Sequence, residues 1–280
     1  MKVAFQGEHG AYSEEAILQH FEGSAEPVPR PSLREVFQAV EGGEVDLGLV
    51  PVENTLEGSI VRTFDLLLES TLSVSAEVIL RVVHCLIANP GVPLGDIKRV
   101  YSHPQALGQC RAYLERRGFE AVVAYDTAGS VKMLGERGLR DAAAIASGWA
   151  AEVYGMTVLA KGIETHPENY TRFFVLGRED HPPTGRDKTS IAFTVDHQPG
   201  TLFRALRGFE LQGVNLTKIE SRPMVGRPWE YSFHMDFEGH RAEPHMRSAL
   251  EELRTSTRFL KILGSYPRAD NPPGPPAENR

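Results

Sequence analysis

The first 154 residues repeat one pattern, in which a short apolar strand leads into a turn and the turn into a helix. Strands are predicted at residues 3–6, 45–52, 97–101, 121–125 and 142–146. A capping box at Ser32 and Glu35 predicts a further helix over residues 32–41. Strands that alternate with helices favour parallel sheets, because a parallel connection needs a crossover. The pattern therefore predicts an α/β fold whose ligand site lies beyond the carboxyl ends of the strands.

Hydroxyl groups stand at five of the predicted strand-to-helix turns, in Ser13, Ser59, Ser102, Thr127 and Ser147. A serine or threonine at such a position commonly caps the helix, and this explains each hydroxyl taken alone. The free N–H groups and the positive dipole end of a helix start also suit carboxylates. We therefore expect the turns to form an anion-binding cleft. Gln109 lies two helical turns after Ser102 on a helix predicted to reach about residue 116, so both are expected to face one side.

The run His-Pro-Glu-Asn-Tyr-Thr-Arg-Phe-Phe at residues 166–174 lies between two apolar segments. It is predicted to be a loop that enters a strand, and binding groups concentrate on loops held by a rigid sheet. The run offers a hydroxyl in Thr171, a cation in Arg172 and an aromatic face in Phe173. These groups would suit a small carboxylate that carries a ring. The alternative is an ordinary loop, with Arg172 in a surface ion pair and Phe173 in the core.

The length of 280 residues suggests about two domains. A net charge of −7 without a basic stripe argues against a nucleic-acid partner, and an anionic ligand must then be bound by local donors. Cys85 and Cys110 are too far apart for a metal or redox motif, and so few cysteines fit a reducing cytoplasm. The first residues lack the apolar stretch of a signal peptide, and no apolar run is long enough to cross a membrane. We therefore expect a cytoplasmic protein without a metal.

Five separated motifs follow one another along the chain. They are Gly-Ala-Tyr-Ser at 10–13, Val-Pro-Val-Glu-Asn-Thr-Leu-Glu-Gly at 50–58, Ser-His-Pro-Gln-Ala-Leu-Gly-Gln-Cys at 102–110, Asp-Thr-Ala at 126–128 and Asn-Tyr-Thr-Arg-Phe-Phe at 169–174. In this order they closely resemble the prephenate dehydratase family. The resemblance implies a catalytic domain over residues 1–178, with two lobes of the periplasmic-binding-protein type and the active site in the cleft between them.

The same resemblance implies the reaction, in which prephenate loses its ring hydroxyl as water and its ring carboxylate as carbon dioxide to give phenylpyruvate. Aromatisation drives the reaction, so neither a metal nor a redox cofactor is implied. Catalytic roles are implied for Thr171, Glu53, Asn54, Ser102 and Gln109. Substrate binding is implied for Arg172, Phe173, Ser13, Thr55, Gly58, Ser59, Thr127 and Ala128. We expect Glu53, Ser102 and Thr171 to share one cleft, where Arg172 and the helix starts bind the two carboxylates.

Thr171 is the residue of the family motif that is most closely tied to catalysis. Departure of hydroxide limits the rate, and it needs a proton or a strong hydrogen bond at that oxygen. A threonine hydroxyl is a poor acid, so Thr171 would act through a relay or by hydrogen bonding, and the sequence leaves both open. Other roles are also open for three neighbours: Glu53 as a surface carboxylate, Gln109 as a polar helix residue and Phe173 as part of the core.

A polar linker with proline and glycine, residues 177–186, leads into a second pattern. Strands are predicted at residues 189–196, 214–220, 229–237 and 260–265, and helices at 201–212 and 243–256. The order βαββαβ predicts a ferredoxin-like sandwich over residues 188–266. The sandwich resembles an ACT domain, a regulatory module that binds amino acids between paired copies. Residues 267–280, rich in Pro, Asn and Gly, are predicted to be a disordered tail.

The resemblance also implies an allosteric phenylalanine site in this domain. The family's segments correspond to Gly200, Thr201, Leu202, Phe203, Asn215, Leu216, Glu220, Ser221, Arg222 and Pro223. Thr201 and Phe203 depart from the family's Gly-Ala-Leu-Val, which leaves the affinity and the ligand open. An ion pair within or between chains is the other role open to Glu220 and Arg222. Feedback inhibition by L-phenylalanine is implied, in a homodimer or homotetramer joined through both domains.

Three functions are compatible with these motifs. The favoured one is a single-function prephenate dehydratase, because the catalytic pattern begins at residue 1 and no helical mutase domain precedes it. The second is an enzyme of the same chemistry that prefers arogenate, the aminated analogue. The third is a non-catalytic sensor of small molecules, since both halves resemble ligand-binding modules. The intact Thr-Arg-Phe at residues 171–173 favours an enzyme.

Overall fold

The structure is a computed structural model that describes residues 1–224 and 227–270. The chain begins with β1 (Lys2–Gln6), α1 (Tyr12–His20), β2 (Glu26–Arg30), α2 (Leu33–Glu41), β3 (Leu47–Asn54), β4 (Gly58–Ser59), α3 (Val61–Glu69) and β5 (Ser73–Arg81). A second group follows: β6 (Cys85–Ala88), β7 (Arg99–Ser102), α4 (Pro104–Gln109), α5 (Arg111–Arg117), β8 (Glu120–Val123), α6 (Thr127–Arg137), β9 (Ala142–Ala146), α7 (Gly148–Val153) and β10 (Thr157–Lys161). β11 (Tyr170–Gly177) then returns to the first group.

Two sheets organise these elements into two lobes. The first lobe has a six-stranded sheet in the order β2-β1-β3-β11-β5, with β4 beside β3. The second lobe has a five-stranded sheet in the order β10-β6-β9-β7-β8. The chain crosses between the lobes twice, at residues 82–84 and 162–169, which confirms the predicted two-lobed α/β fold. Within the described residues, no helix combines the length and the apolar character needed to cross a membrane.

The prediction of parallel sheets is only partly right, because both sheets are mixed. β1 pairs in parallel with β2 and β3, as β7 does with β8 and β9. β11 runs antiparallel to β3 and β5, and β6 runs antiparallel to β9 and β10. The antiparallel strands are the ones that flank the two crossings. β6 follows the first crossing and β11 follows the second, so each enters its sheet directly from the other lobe. Neither is connected to its sheet by a crossover helix, which a parallel neighbour would require.

The helix starts agree in part with the capping predictions. Ser32 and Ser147 each accept a hydrogen bond from an N–H of the helix that follows, and Asp126 caps α6 in the same way. The predictions at three other serines are wrong, because each helix begins one or two residues away: the capping positions are Ala11, Ile60 and His103, not Ser13, Ser59 and Ser102. The helix predicted to reach residue 116 is also divided, since Cys110 separates α4 from α5.

The C-terminal domain follows with β12 (Asp187–Thr194), α8 (Thr201–Leu211), β13 (Leu216–Met224), β14 (Arg227–Glu238), α9 (Pro244–Thr255) and β15 (Phe259–Pro267). This order confirms the βαββαβ prediction, and the four strands form one antiparallel sheet, β13-β14-β12-β15. Both helices cover one face of it, over a core that includes Phe193, Phe209 and Phe237. The other face packs on the six-stranded sheet of the first lobe, as the contacts of Lys218 and Asp236 show.

The predicted disordered tail over residues 267–280 is covered only at its start. Residues 271–280 lie outside the described residues. The Arg268 N–H donates to the Arg186 carbonyl at 2.8 Å, and the Ala269 N–H donates to the Glu77 carboxylate at 2.9 Å. Residues 267–269 therefore belong to the folded domain, and this part of the prediction is wrong.

Close packing of β15 joins the C-terminal domain to β5 and α3. A Cβ on Gly264 would lie 2.7 Å from the Val74 nitrogen and closer still to the carbonyl oxygen of the same residue. On the same strand, the Lys261 ammonium donates to the carbonyls of Leu67 and Leu68 at 2.8 and 3.0 Å. The last carbonyls of a helix lack partners within it, so a cation at this end of α3 is stabilising. The first lobe and the C-terminal domain thus share one packed interface.

We expect Gly264→Ala to lower the free energy of unfolding by about 1–3 kcal/mol, as overpacking does. The added methyl group meets backbone atoms of β5, which cannot turn aside as a flexible side chain can. Denaturant titration measures the change. Gly95→Ala is the matched control, because a Cβ at that glycine has nothing within 4 Å and should leave stability nearly unchanged. Equal stability of the two variants would contradict the close approach of β15 to β5.

Candidate active site

A cleft of about 420 Å³ opens between the two lobes. It lies beyond the carboxyl ends of β1, β3, β7 and β8, where an α/β sheet is expected to bind its ligand. The first turns of α1, α4 and α6 and the start of β11 complete its walls. The structure brings seven of the predicted site residues to this lining: Thr171, Asn54, Gln109, Phe173, Ser13, Thr127 and Ala128.

Thr171 and Asn54 face each other on the antiparallel strands β11 and β3. Asn54 Nδ2 donates to Thr171 Oγ1 at 3.0 Å and to the Tyr170 carbonyl at 3.1 Å. The backbone N–H groups of Leu56 and Glu57 donate to Asn54 Oδ1 at 2.9 and 3.1 Å. Because these N–H groups can only donate, they fix which end of the amide is the oxygen, and the two Nδ2 protons are shared among Thr171 Oγ1, the Tyr170 carbonyl and Asn169 Oδ1 as acceptors. The O–H of Thr171 is thereby left to donate elsewhere.

A chain of hydrogen bonds leads from Asn54 to the second lobe. Asn54 Nδ2 donates to Asn169 Oδ1 at 2.8 Å, and Asn169 Nδ2 donates to Gln109 Oε1 at 2.9 Å. The same Gln109 oxygen lies 2.7 Å from His84 Nε2, and His84 Nδ1 lies 2.7 Å from the Tyr12 hydroxyl. His84 and Asn169 belong to the two crossings between the lobes, and Gln109 ends α4. The chain therefore ties both lobes together at their hinge.

The middle of this chain is shielded from water. Asn169 is fully buried and His84 is 2% exposed. Burial lowers the pKa of His84, because the imidazolium would lose its hydration, and raises the pKa of Tyr12 for the corresponding reason in the phenolate. Both side chains are therefore neutral near pH 7. The Val82 N–H also donates to the Asn169 carbonyl at 2.8 Å, which joins the two crossings directly.

Helix starts on both sides of the cleft present N–H groups to it. Among the described side chains, none caps the first turn of α1, which carries Ser13. α6 begins with Thr127 and Ala128 directly after its cap, Asp126. The residues that line the cleft include no lysine and no arginine within the described chain. An anion in this cleft must therefore be bound by N–H groups and hydroxyls.

Arg172 points away from the cleft, so the expectation that it lies there beside Thr171 is wrong. Successive side chains of a strand alternate between the two faces of the sheet, and Thr171 takes the cleft side. The Arg172 guanidinium instead donates to Glu77 at 2.7 Å, to Asp236 at 2.5 Å and to the Tyr266 hydroxyl at 2.9 Å. The Glu77 side chain is fully buried. Arg172 thus links β11 to β5 and to the C-terminal domain.

Glu53 and Ser59 also face the C-terminal domain, and their predicted places in the cleft are wrong. Glu53 forms an ion pair with Lys218 at 2.9 Å. Lys218 donates in addition to the Ser59 hydroxyl at 2.7 Å, and Ser59 donates to Glu220. Burial opposes ionisation of Glu220, but the hydrogen bond from Ser59 and the charges of Arg222 and Lys218 lower its pKa overall. These contacts link β3 to the C-terminal domain, beside the link that Arg172 makes from β11.

Ser102, Thr55 and Gly58 lie outside the cleft lining. Ser102 is fully buried and donates to the Ile145 carbonyl at 2.6 Å, so the expectation that it shares the cleft with Thr171 is wrong. The Thr55 hydroxyl donates to the Glu168 carbonyl at 2.9 Å and holds the loop before β11. Gly58, at φ +79°, turns the chain in the β3–β4 hairpin. Thr55 and Gly58 therefore shape the turn after Asn54 and do not face the ligand.

Three residues of the hydrogen-bond chain, Tyr12, His84 and Asn169, were not identified from the sequence. Tyr12 and Asn169 belong to the Gly-Ala-Tyr-Ser and Asn-Tyr-Thr-Arg-Phe-Phe motifs, and these motifs were the available signal. His84 follows a long strand without a motif around it. Its contacts with Gln109 and Tyr12 depend on how the two crossings pack together, which the sequence does not show.

The residues predicted to bind phenylalanine lie in two places of the C-terminal domain. Glu220 and Arg222 stand on β13 and form an ion pair of 2.7 Å, the alternative expected from the sequence. Gly200, at φ +77°, precedes α8, where Phe203 is 76% exposed. The other members stand next to these on α8 or on and before β13: Thr201, Leu202, Asn215, Leu216, Ser221 and Pro223. Their role in binding stays a prediction.

Comparison with known proteins gives the same two-part division. The prephenate dehydratase family model matches residues 3–181, and the ACT domain model matches residues 189–255. Arogenate dehydratase/prephenate dehydratase 2 of Arabidopsis thaliana is 45% identical over 278 residues, which cover 95% of this chain and 73% of that protein.

Two solved structures are similar over nearly their whole length. Prephenate dehydratase of Arthrobacter aurescens, in complex with L-Phe, has a TM-score of 0.88 and 33% identity over 98% of this chain and 92% of that one. GqqA, described as a novel type of quorum-quenching acylase, has a TM-score of 0.89 and 36% identity over 96% and 98%. The family match spans more than half of the sequence, and the chain therefore belongs to the prephenate dehydratase family and carries a C-terminal ACT domain.

Proposed function

We propose that the protein catalyses the decarboxylative dehydration of prephenate to phenylpyruvate in L-phenylalanine synthesis, with feedback inhibition by L-phenylalanine. The observation that carries the proposal is the Thr171–Asn54 pair in a cleft of about 420 Å³, large enough for one small ring. Family membership supports the reaction. A cytoplasmic location is part of the proposal and is supported by two free, buried cysteines.

The reaction consumes one proton in each turnover. The ring carboxylate leaves as carbon dioxide, and its bonding electrons enter the ring as the hydroxyl group departs. The oxygen departs as hydroxide, stabilised by a hydrogen bond, and takes its proton from solvent to become water. Thr171 Oγ1 already accepts from Asn54, so its O–H is directed to donate to that oxygen. An amide donates hydrogen bonds but does not release its proton at neutral pH. We therefore assign Thr171 to hydrogen bonding at the leaving oxygen and not to a proton relay through Asn54.

N–H groups bind the two carboxylates in this proposal. The starts of α1 and α6 point their free donors into the cleft from opposite sides, and the hydroxyls of Ser13 and Thr127 lie among them. Donors that are already oriented bind an anion without reorganisation, which is an effective way to hold charge during a reaction. Phe173 borders the same cleft but is 2% exposed and packs in the core of the first lobe, so it supports the wall of the cleft from behind.

The partners of the two carboxylates in the cleft bear on the choice between prephenate and arogenate. Arogenate carries an ammonium where prephenate has a keto group, and an ammonium requires an acceptor. The acids among the described lining residues are Glu8 and Asp126, and both have partners: Glu8 pairs with Lys132 at 3.0 Å, and Asp126 caps α6. A keto acid leaves these pairs intact.

Hydrolysis of an acyl bond is a second candidate, suggested by the likeness to GqqA. Such hydrolysis by covalent catalysis needs a nucleophile activated by an adjacent base. In the described part of the cleft, neither an imidazole nor a carboxylate contacts the hydroxyl of Ser13, Thr127 or Thr171. The geometry therefore favours dehydration.

Feedback inhibition would act through the contacts between the ACT domain and the strands of the catalytic pair. Lys218 and Asp236 bind Glu53 and Arg172, which are the immediate neighbours of that pair on β3 and β11. Lys218 also shares β13 with Glu220 of the predicted phenylalanine site. A shift of β13 on ligand binding would thus reach both strands. Coupling of this kind requires the ligand to bind two states with different affinity.

A homodimer or homotetramer joined through both domains is part of the proposal. β13 is an edge strand of the ACT sheet, and such an edge offers its free backbone groups to another chain. Ile219 on this strand is 46% exposed, and Trp229 on the neighbouring β14 is 77% exposed. Pairing across this edge would cover apolar surface and would bring the two halves of the predicted phenylalanine site from different chains together.

Thr171→Val is expected to lower kcat by about a hundredfold or more, because it keeps the shape of the side chain and removes the O–H. Thr171→Ser is the matched control and should retain most of the activity. Phenylpyruvate absorbance measures both rates, and circular dichroism checks the fold. A valine variant that turns over like the unaltered enzyme would remove Thr171 from the reaction.

The enzyme is expected to convert prephenate with a kcat/KM about tenfold or more above its value for arogenate, since each tenfold reflects about 1.4 kcal/mol of transition-state binding. Parallel assays that quantify phenylpyruvate and phenylalanine as the respective products measure the ratio. A higher kcat/KM for arogenate would reassign the substrate, and release of product only from an acylated amine would favour the acylase.

Lys218→Met is expected to weaken inhibition by L-phenylalanine about fivefold or more while activity without the effector changes little, because a coupling of this size is typical between two sites. Lys98→Met, on an exposed residue of the second lobe, is the control. Calorimetry of phenylalanine binding separates lost coupling from lost affinity. Unchanged inhibition in the Lys218 variant would exclude this route.

A further inference from the structure

We infer that His84, as the neutral tautomer with its proton on Nε2, is a positioning residue for the dehydration. It fixes the far end of the chain of amides that leads to Thr171, so that the Thr171 O–H faces the substrate. The inference deepens the proposed function and rests on it. The observation behind it is that every donor and acceptor in this chain has only one consistent direction.

The direction is set at one end by the backbone. Asn54 Oδ1 accepts from two backbone N–H groups, so its Nδ2 is the donor toward Asn169 and Thr171. Asn169 must then present its oxygen to Asn54, which turns its own Nδ2 toward Gln109. Gln109 Oε1 accepts that hydrogen bond. The Gln109 oxygen therefore faces His84, and a donor on His84 is needed to hold it there.

The direction of the last two bonds follows. His84 Nε2 lies 2.7 Å from Gln109 Oε1, which can only accept, so Nε2 carries the proton. A neutral imidazole then has its lone pair on Nδ1, and the Tyr12 hydroxyl donates to it at 2.7 Å. Burial supports this assignment, because it lowers the pKa of His84 and keeps the ring neutral. Tyr12 is held as a phenol by burial in the same way.

The other tautomer would be in conflict with the whole chain. With its proton on Nδ1, His84 would turn a lone pair toward Gln109 Oε1, and two buried acceptors would face each other. Rotation of the Gln109 amide would relieve this conflict only by placing its NH2 group against the NH2 group of Asn169. The Asn169 amide would then have to rotate as well, which would place its NH2 group against the NH2 group of Asn54. Asn54 cannot rotate in turn, because its oxygen accepts from two backbone N–H groups. The tautomer with its proton on Nε2 is therefore the one that matches the direction set at Asn54 and holds Gln109 and Asn169 in it.

His84 is held rigidly enough to act in this way. The backbone N–H of His84 donates to the Glu164 carboxylate at 2.9 Å, and its backbone carbonyl accepts from the Gly162 N–H at 2.9 Å. Both partners belong to the second crossing between the lobes. The imidazole thus stands between the two crossings with its backbone fixed on each side, and its ring lies edge-on to Tyr12. A residue in this place can orient Gln109 without touching the substrate's reacting atoms.

Variants of His84 test the inference. His84→Leu removes the donor and is expected to lower kcat about tenfold or more with KM changed less than about threefold, the pattern of an interaction made in the transition state. His84→Gln can place an amide NH2 where Nε2 stood and is expected to recover most of that loss. His20→Leu, at the exposed end of α1, is the control for loss of a histidine. Equal kcat in the leucine variant and the unaltered enzyme would overturn the inference.

A double-mutant cycle separates positioning from a general structural effect. If His84 acts through Thr171, His84→Leu should lower kcat little further in a Thr171→Val background, because the group it orients is already absent. Full additivity of the two losses would overturn the inference. The failure of the proposed function looks different, since the unaltered enzyme would then not form phenylpyruvate at all.

The tautomer itself can be observed without any variant. In protein labelled with 13C and 15N, long-range 1H–15N spectra are expected to show the His84 proton on Nε2 and an unprotonated Nδ1, and correlations from the ring to the assigned backbone identify the signal. A proton on Nδ1, or on both nitrogens at pH 7, would overturn the inference even if every substitution at this position prevented folding.

Discussion

The alternation of side chains along β11 is the constraint on which the rest of the structure depends. Thr171 takes the cleft side of the sheet, and Arg172 takes the side covered by the ACT domain. The register with β3 repeats this division, because Asn54 lies opposite Thr171 and Glu53 lies opposite Arg172. One pair of hydrogen-bonded strands therefore carries the Thr171–Asn54 pair of the cleft on one face and the ion pairs to the ACT domain on the other.

The sequence predicted the elements well and the direction of the side chains less well. The βαββαβ order of the ACT domain and the place of Thr171, Asn54 and Gln109 follow from periodicity and from family motifs. Arg172 and Glu53 were assigned to the cleft because they stand in the same motifs. The assignment failed because a motif does not specify which face of a strand a residue takes, nor which other domain covers that face.

The capping serines show a related limit. Ser102 stands at the end of a strand and shortly before a proline, as a capping residue would. Its hydroxyl nevertheless donates to the Ile145 carbonyl inside the second lobe. One residue further on, His103 caps α4 instead. Such a shift by one position depends on whether a buried carbonyl lies near the serine. Here that carbonyl belongs to a strand that is adjacent in the sheet but distant in the sequence.

The hinge has a consequence for the timing of the reaction. Gln109 belongs to the second lobe, but its oxygen accepts from residues of both crossings, so the lobes cannot swing apart without stretching these bonds. Opening to admit or release a ligand would therefore loosen the amides that aim the Thr171 hydroxyl. If the lobes open in this way, the Thr171 hydroxyl is aligned only after they close again, and a ligand would meet it only once it is enclosed.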